Sequence, residues 1–163
     1  MNGWRPMEEA DIAAVSTISG AVHGAYTEGA DIYAERLRLY PAGCWLLAHD
    51  GTAMGYCISH PWQGDAPPPL DAPLQAIPTQ PDRYYLHDLA LLPQARGTGA
   101  AADAVELVLT YARRVGFARI ALTAVNGAEA FWRKHGFASV RQQNAAYGVD
   151  TIMMDRPTAE APR

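Results

Sequence analysis

Apolar residues in the first quarter of the chain recur at helical spacing. Ile12, Val15, Ile18 and Val22 are separated by three, three and four positions, which predicts an amphipathic helix within residues 7–23. Tyr33, Leu37 and Tyr40 predict a second, shorter helix over 31–40, closed by Pro41. The period then changes. Residues 44–49 and 52–59 read as strands joined by Asp50-Gly51, a strong signal for a two-residue hairpin turn. In such a hairpin, partner numbers sum to 101, so Cys44 is expected across from Cys57 and Trp45 across from Tyr56. The stretch 61–82 carries seven prolines and no periodic pattern. A loop of this length is either functional or mobile, and Trp62 favours a functional one.

A run from Tyr84 to Leu92 is apolar enough for a strand buried on both faces. A helix is predicted over 99–115, where Ala101, Val105, Val108, Ala112 and Val115 form one stripe and Gly116 stops it. A strand at 119–125 follows, then a helix at 128–135 opened by Asn126-x-x-Glu129, a variant capping box. Strands at 137–142 and 149–155 complete the pattern, and 157–163 reads as a loose tail. With a short strand at 3–5, the order is β-α-α-β-β-β-α-β-α-β-β. It predicts a mixed α/β sheet with helices on both faces.

Composition narrows the class. The 163 residues, 49% hydrophobic and 18% charged, suit one domain over 1–156 with a full core. A net charge of −4 with no basic block argues against a nucleic-acid footprint and gives no support for an anionic membrane surface. No apolar run reaches membrane-spanning length and the first residues lack a signal-peptide pattern, so a cytoplasmic protein is expected. Two cysteines are too few for a disulfide scaffold or zinc ribbon, and the histidines show no metal-ligand spacing.

The most informative segment is Leu89-Ala90-Leu91-Leu92-Pro93-Gln94-Ala95-Arg96-Gly97-Thr98-Gly99-Ala100-Ala101, a buried strand running through a Gly-rich turn into a helix. Free N–H groups of a first helical turn, the helix dipole and Arg96 make a phosphate site there; a tight turn with no ligand is the alternative. No Lys-Ser/Thr follows the glycines, which excludes a Walker loop. Gly97-x-Gly99-x-x-Ala102 fits a loose dinucleotide fingerprint, yet the next strand ends Thr123-Ala124-Val125-Asn126 without the acid that would hold a ribose.

Pro93-x-x-Arg96-Gly97-x-Gly99-x-Ala101 followed by Phe131-Trp132-Arg133-Lys134-His135-Gly136-Phe137 resembles the GCN5-related N-acetyltransferase (GNAT) family. The resemblance covers roughly 84–137 in detail and implies a mostly antiparallel sheet of six to seven strands flanked by helices. It also implies transfer of acetyl from acetyl-coenzyme A (acetyl-CoA) to an amine of a small molecule or peptide by direct attack, without a metal. By similarity, the backbone of Leu89, Ala90 and Leu91 would pair with the pantetheine arm, and Leu91 N–H would polarise the acetyl carbonyl. Arg96, Gly97, Thr98, Gly99, Ala100 and Ala101 would cradle the pyrophosphate. Relatives often contact the coenzyme near Asn126, but its interval to Trp132 is one short of the usual one, so a helix cap is the preferred role for Asn126, and Trp132 would pack against coenzyme A or the neighbouring helix. Dimers are common in the family, so a homodimer is compatible with the resemblance.

Two features leave alternatives open. Relatives often place a Tyr acid where this chain has Trp132, whose indole cannot release a proton at useful pH. An acyl-CoA-binding module without catalysis, or a transferase for another acyl group, therefore competes with the main reading. The amine also needs a base. His87 matches a Glu found in polyamine-type relatives and is the expected base, with Asp88 as acceptor or alternative base. Strand alternation would keep the two on opposite faces. In the expected acceptor region, Glu28, Asp31, Glu35, Asp65, Asp71 and Asp82 outnumber Arg36, Arg38 and Arg83, which tilts towards a cationic amine.

Overall fold

The computed structural model describes residues 3–125, 127–140 and 151–159. Among these residues seven strands and four α-helices follow the predicted order: β1 (Gly3–Pro6), α1 (Ile12–His23), α2 (Ala30–Leu39), β2 (Cys44–His49), β3 (Thr52–Trp62), β4 (Arg83–Leu91), α3 (Ala100–Arg114), β5 (Arg119–Ala124), α4 (Glu129–Lys134), β6 (Ala138–Ser139) and β7 (Ile152–Pro157). The strands form one sheet in the order β1-β2-β3-β4-β5-β7-β6. All neighbours run antiparallel except β4 and β5.

Each face buries one amphipathic pair. Val15 and Ile18 of α1 and Tyr33 of α2 pack on Leu46, Tyr56, Ile58 and Ala90. On the other face, Val105, Val108, Leu109 and Ala112 of α3 meet Cys57, Tyr84, Leu86, Ile120 and Leu122, and Trp132 of α4 joins them. The α3 stripe is the one its sequence predicts. Beyond β7, Thr158 is buried, donates its N–H to Ala118 O and takes two bonds from Arg113 on its carbonyl, so 157–158 belong to the packed body rather than to a loose tail.

Two β-bulges change what strand alternation predicts. In the β2–β3 hairpin, His49 faces Thr52 and Ala48 faces Ala53 as expected, but an extra residue at Met54 shifts the register beyond. Cys44 therefore lies across from Ile58, and Trp45 from Cys57. The two cysteines point to opposite faces, Cys44 beneath α1 and α2, Cys57 against α3, and both are free thiols. In the β3–β4 pair, Ile58 faces Asp88 and Ser59 faces Leu86, so His87 is the extra residue. A bulge bends its strand and increases its twist. The β4–β5 ladder consists of Tyr84–Ile120 and Tyr85–Ala121, and it ends just before the bulge.

Candidate functional site

Past Tyr85, β4 and β5 diverge, and a cleft of about 770 Å³ opens between them. It runs from His23 and Asp88 at one end, past Leu89 and Leu91, to Arg96, Gly97 and Gly99 at the other, with Trp132 and His135 of the α4 region on its far wall. Backbone direction along β4 follows from one bond: Leu92 N–H donates to Met54 O on β3. Successive residues of an extended strand present their backbone groups to opposite edges. Leu91 and Leu89 therefore turn theirs away from β3, towards the cleft, whereas Ala90 turns its own to β3. The same orientation explains Gly55 on β3, where an added Cβ would lie 2.7 Å from Ala90 O.

At the far end the chain makes a tight turn into α3. Gly97 and Gly99 have φ of 75° and 87°, left-handed values that glycine adopts without the Cβ penalty. Thr98 braces this turn, donating its hydroxyl to Ala95 O at 2.6 Å and accepting Ala100 N–H. Intrahelical bonding starts with Asp103 N–H to Gly99 O, which leaves the N–H groups of Ala101 and Ala102 without helical acceptors. Together with the Arg96 guanidinium and the positive end of a 15-residue helix, they form an anion cradle.

The opposite end is built from two carboxylate–histidine pairs. Because His87 is the bulged residue, His87 and Asp88 both face the α1–α2 side, not opposite faces as alternation predicts. Asp88 Oδ1 accepts from His23 Nε2 at 2.6 Å, and Asp88 Oδ2 accepts from Tyr56 OH at 2.6 Å. His87 Nε2 pairs with Glu28 Oε1, also at 2.6 Å. A carboxylate facing Nε2 selects the tautomer protonated there and leaves the lone pair on Nδ1.

The two pairs differ in access. The His87 and Glu28 side chains are both 2% exposed, while His23 is 13% exposed at the cleft end of α1. Burial lowers the tendency of His23 to hold a proton, but the charge and hydrogen bond of Asp88 outweigh it and raise its pKa above the usual histidine value. For Glu28, burial pushes the pKa up, yet His87, the Asp71 N–H and Arg36 together hold it below the ordinary carboxylate value. Behind these pairs, Arg36, His60 and His87 each keep buried nitrogens without a partner among the described residues.

The chemistry of this arrangement is specific: a free strand edge, an anion cradle at a helix N-terminus and an oriented imidazole lie along one cleft. The acetyltransferase (GNAT) family model matches residues 13–137. The chain belongs to the GNAT family.

Solved structures agree on the GNAT fold. The GNAT-like decarboxylase GphF in complex with isobutyryl-CoA is 16% identical with a TM-score of 0.77, covering 96% of this chain and 99% of that one. The ribosomal-protein-S18-alanine N-acetyltransferase from Escherichia coli is 17% identical, TM-score 0.71, covering 99% and 97%. Arabidopsis thaliana Naa50 in complex with the bisubstrate analogue CoA-Ac-MVNAL is 15% identical, TM-score 0.69, covering 94% and 97%. No curated protein matches the sequence.

Within this GNAT domain the structure brings Leu89, Leu91, Arg96, Gly97, Gly99, Ala101 and Trp132 to one cleft, with His87 and Asp88 at its end. Asn126 lies outside the described residues. Trp132 is 8% exposed and packs edge-on against Phe131 and Phe137, so it is core and cleft wall at once. His23 was missing from the sequence-derived set. Its partner lies 65 positions away, and locally it reads as the last residue of a helix. The acidic excess in the acceptor region also has an internal explanation. Glu28, Glu35, Asp65, Asp71 and Asp82 are all paired with nearby cations or backbone N–H groups, which removes the argument for a cationic acceptor. Among the described residues no cluster of His, Cys, Asp and Glu could hold a metal, and no helix is long and apolar enough to cross a membrane.

Proposed function

We propose that this GNAT protein is an N-acetyltransferase that moves acetyl from acetyl-CoA to a primary amine of a small molecule or peptide by direct attack. The divergence of β4 from β5, which opens a free strand edge onto the anion cradle, carries this reading. The donor supplies the activated thioester. The residues present suit it: Leu89 and Leu91 offer backbone groups to an extended arm, and Arg96 with the first turn of α3 offers donors to phosphates.

His23 is the base, and Asp88 orients it. The amine nitrogen gives a proton to His23 Nδ1 and forms its bond to the carbonyl carbon, while Leu91 N–H stabilises the oxygen that gains charge. The C–S bond then breaks and the thiolate leaves. The upward shift that Asp88 imposes on His23 makes its imidazole a stronger proton acceptor, which suits this role. His87, clamped by Glu28 and almost fully buried, is a positioning residue. In this reading the proton goes to His23 rather than to His87.

The test is thiol release from acetyl-CoA across a panel of primary amines, for wild type and His23→Ala. The reading expects amine-dependent release, lowered on the order of 10²-fold in His23→Ala with loss of the acidic limb of kcat/KM. Coenzyme binding with no turnover against any amine would instead favour the acyl-CoA-binding module. Release that His23→Ala leaves unchanged would remove His23 as base.

A further inference from the structure

We propose that Leu70, in the segment between β3 and β4, sets the size of the acceptor, and that the acceptor carries an unbranched primary amine, R–CH2–NH2. This rests on the transfer reading above. Beside the cleft, and sharing His23, His87, Asp88 and Thr123 with its lining, lies a recess of about 30 Å³, completed by Tyr26 from the α1–α2 connection and by Leu70. A space of this size beside His23 admits only one or two water-sized groups. A straight stem can leave through the open side of the recess, whereas a branch at the carbon bearing the amine has to fit inside it.

The segment that carries Leu70 is fixed rather than loose. Glu28 Oε2 accepts Asp71 N–H at 2.8 Å, and Asp71 Oδ1 accepts Gly29 N–H at 2.8 Å in return. Glu35 accepts the N–H groups of Leu74 and Gln75 at 2.6 and 3.1 Å. Asp82 accepts Gly64 N–H, Trp62 Nε1 donates to Ala66 O at 2.8 Å, and Pro67 and Pro68 are buried. A wall held at its ends and its middle keeps its shape when an acceptor enters, so Leu70, the residue it adds to the recess lining, selects by size. The carboxylates beside the recess, Glu28 and Asp88, are each already paired with a histidine. The recess therefore offers no free charge to a second ammonium, and the stem next to the amine is apolar, lying between Leu70, Tyr26 and Val125.

Two isomeric amines, propylamine and isopropylamine, test this with wild type, Leu70→Ala and Leu70→Trp. Turnover is read as thiol release from acetyl-CoA, and binding is read separately by calorimetry in the presence of CoA. Wild type should favour propylamine at least about tenfold in kcat/KM and in affinity, the scale expected for one misplaced methyl group in a close-fitting pocket. Leu70→Ala should cut that preference below about threefold by improving isopropylamine. Leu70→Trp should bind neither amine while CoA affinity stays within about twofold. An absent preference in wild type, an unchanged preference in Leu70→Ala, or failure of the wild type to bind either amine would overturn the proposal. Binding with the expected preference but without thiol release would uphold the recess and refute the transfer reading. Thiol release without the preference would do the reverse.

Discussion

Replacing His60 should remove an acid-labile component of stability whose size follows from where the ring sits. His60 faces Tyr85 across β3 and β4, is 1% exposed, and stacks near Tyr85, His87 and Trp62. Its Nδ1–H donates to Pro61 O at 2.8 Å, which leaves Nε2 as a buried lone pair. Burial first, then the proximity of His87 and of the Arg36 guanidinium, lower its pKa from 6.5 to about 3. The unfolded chain therefore binds a proton at this residue in a range where the folded chain does not. The contribution is fully present above the unfolded value and declines as pH falls towards the folded one. At one pKa unit per 1.36 kcal/mol, the loss relative to pH 8 is about 2 kcal/mol at pH 5 and about 3 kcal/mol at pH 4. Urea unfolding followed by circular dichroism at several pH values, for wild type and His60→Phe, isolates the effect. The variant leaves Pro61 O without its partner, an offset that does not vary with pH. The two stability curves should converge as pH falls from 8 to 4. Parallel curves would refute the reasoning.

The site yields further expectations. Asp88→Asn removes the charge that raises His23, so the acidic limb of kcat/KM should move to lower pH while the plateau falls on the order of 10²-fold; a pH–rate profile reads both, and an unmoved limb would sever Asp88 from His23. Gly99→Ala meets open space but must hold φ near 87°, so chemical denaturation should show a loss of about 1–2 kcal/mol, and a thermal-shift titration should show weaker CoA binding. Burial pushes the Cys44 thiol up to about 12 and raises the Cys57 thiol well above its ordinary value, so neither should react with a thiol reagent in the native protein, and denatured, unreduced protein should titrate two.

The sequence made local features readable and left paired ones hidden. The helices of Ile12–His23 and Ala100–Arg114 carry their own apolar stripes, and the turn at Gly97–Gly99 announces itself by spacing, so each was visible without a partner. A bulge has no such signature. Period-2 alternation says which residues share a face but not where one extra residue enters, and the insertions at Met54 and His87 shifted every assignment beyond them. Thus Cys44 lost Cys57 as its partner, and His87 and Asp88 came to the same side. Glu28 and Glu35 looked like solvated acids because carboxylates usually are; their partners are backbone N–H groups some 40 positions away, which no local window contains. His23 was hidden for the same reason.

The claim that the cleft between β4 and β5 passes an acyl group directly to an amine is tested most plainly by product balance. Protein, acetyl-CoA and a primary amine are mixed, and free thiol, acetylated amine and intact protein mass are followed in the same samples. Direct attack predicts thiol and acetylated amine in equal amounts at every time point, no thiol without amine, and no acetylated protein. Thiol release that precedes the acetylated amine, or an acetyl group carried on the protein, would contradict it.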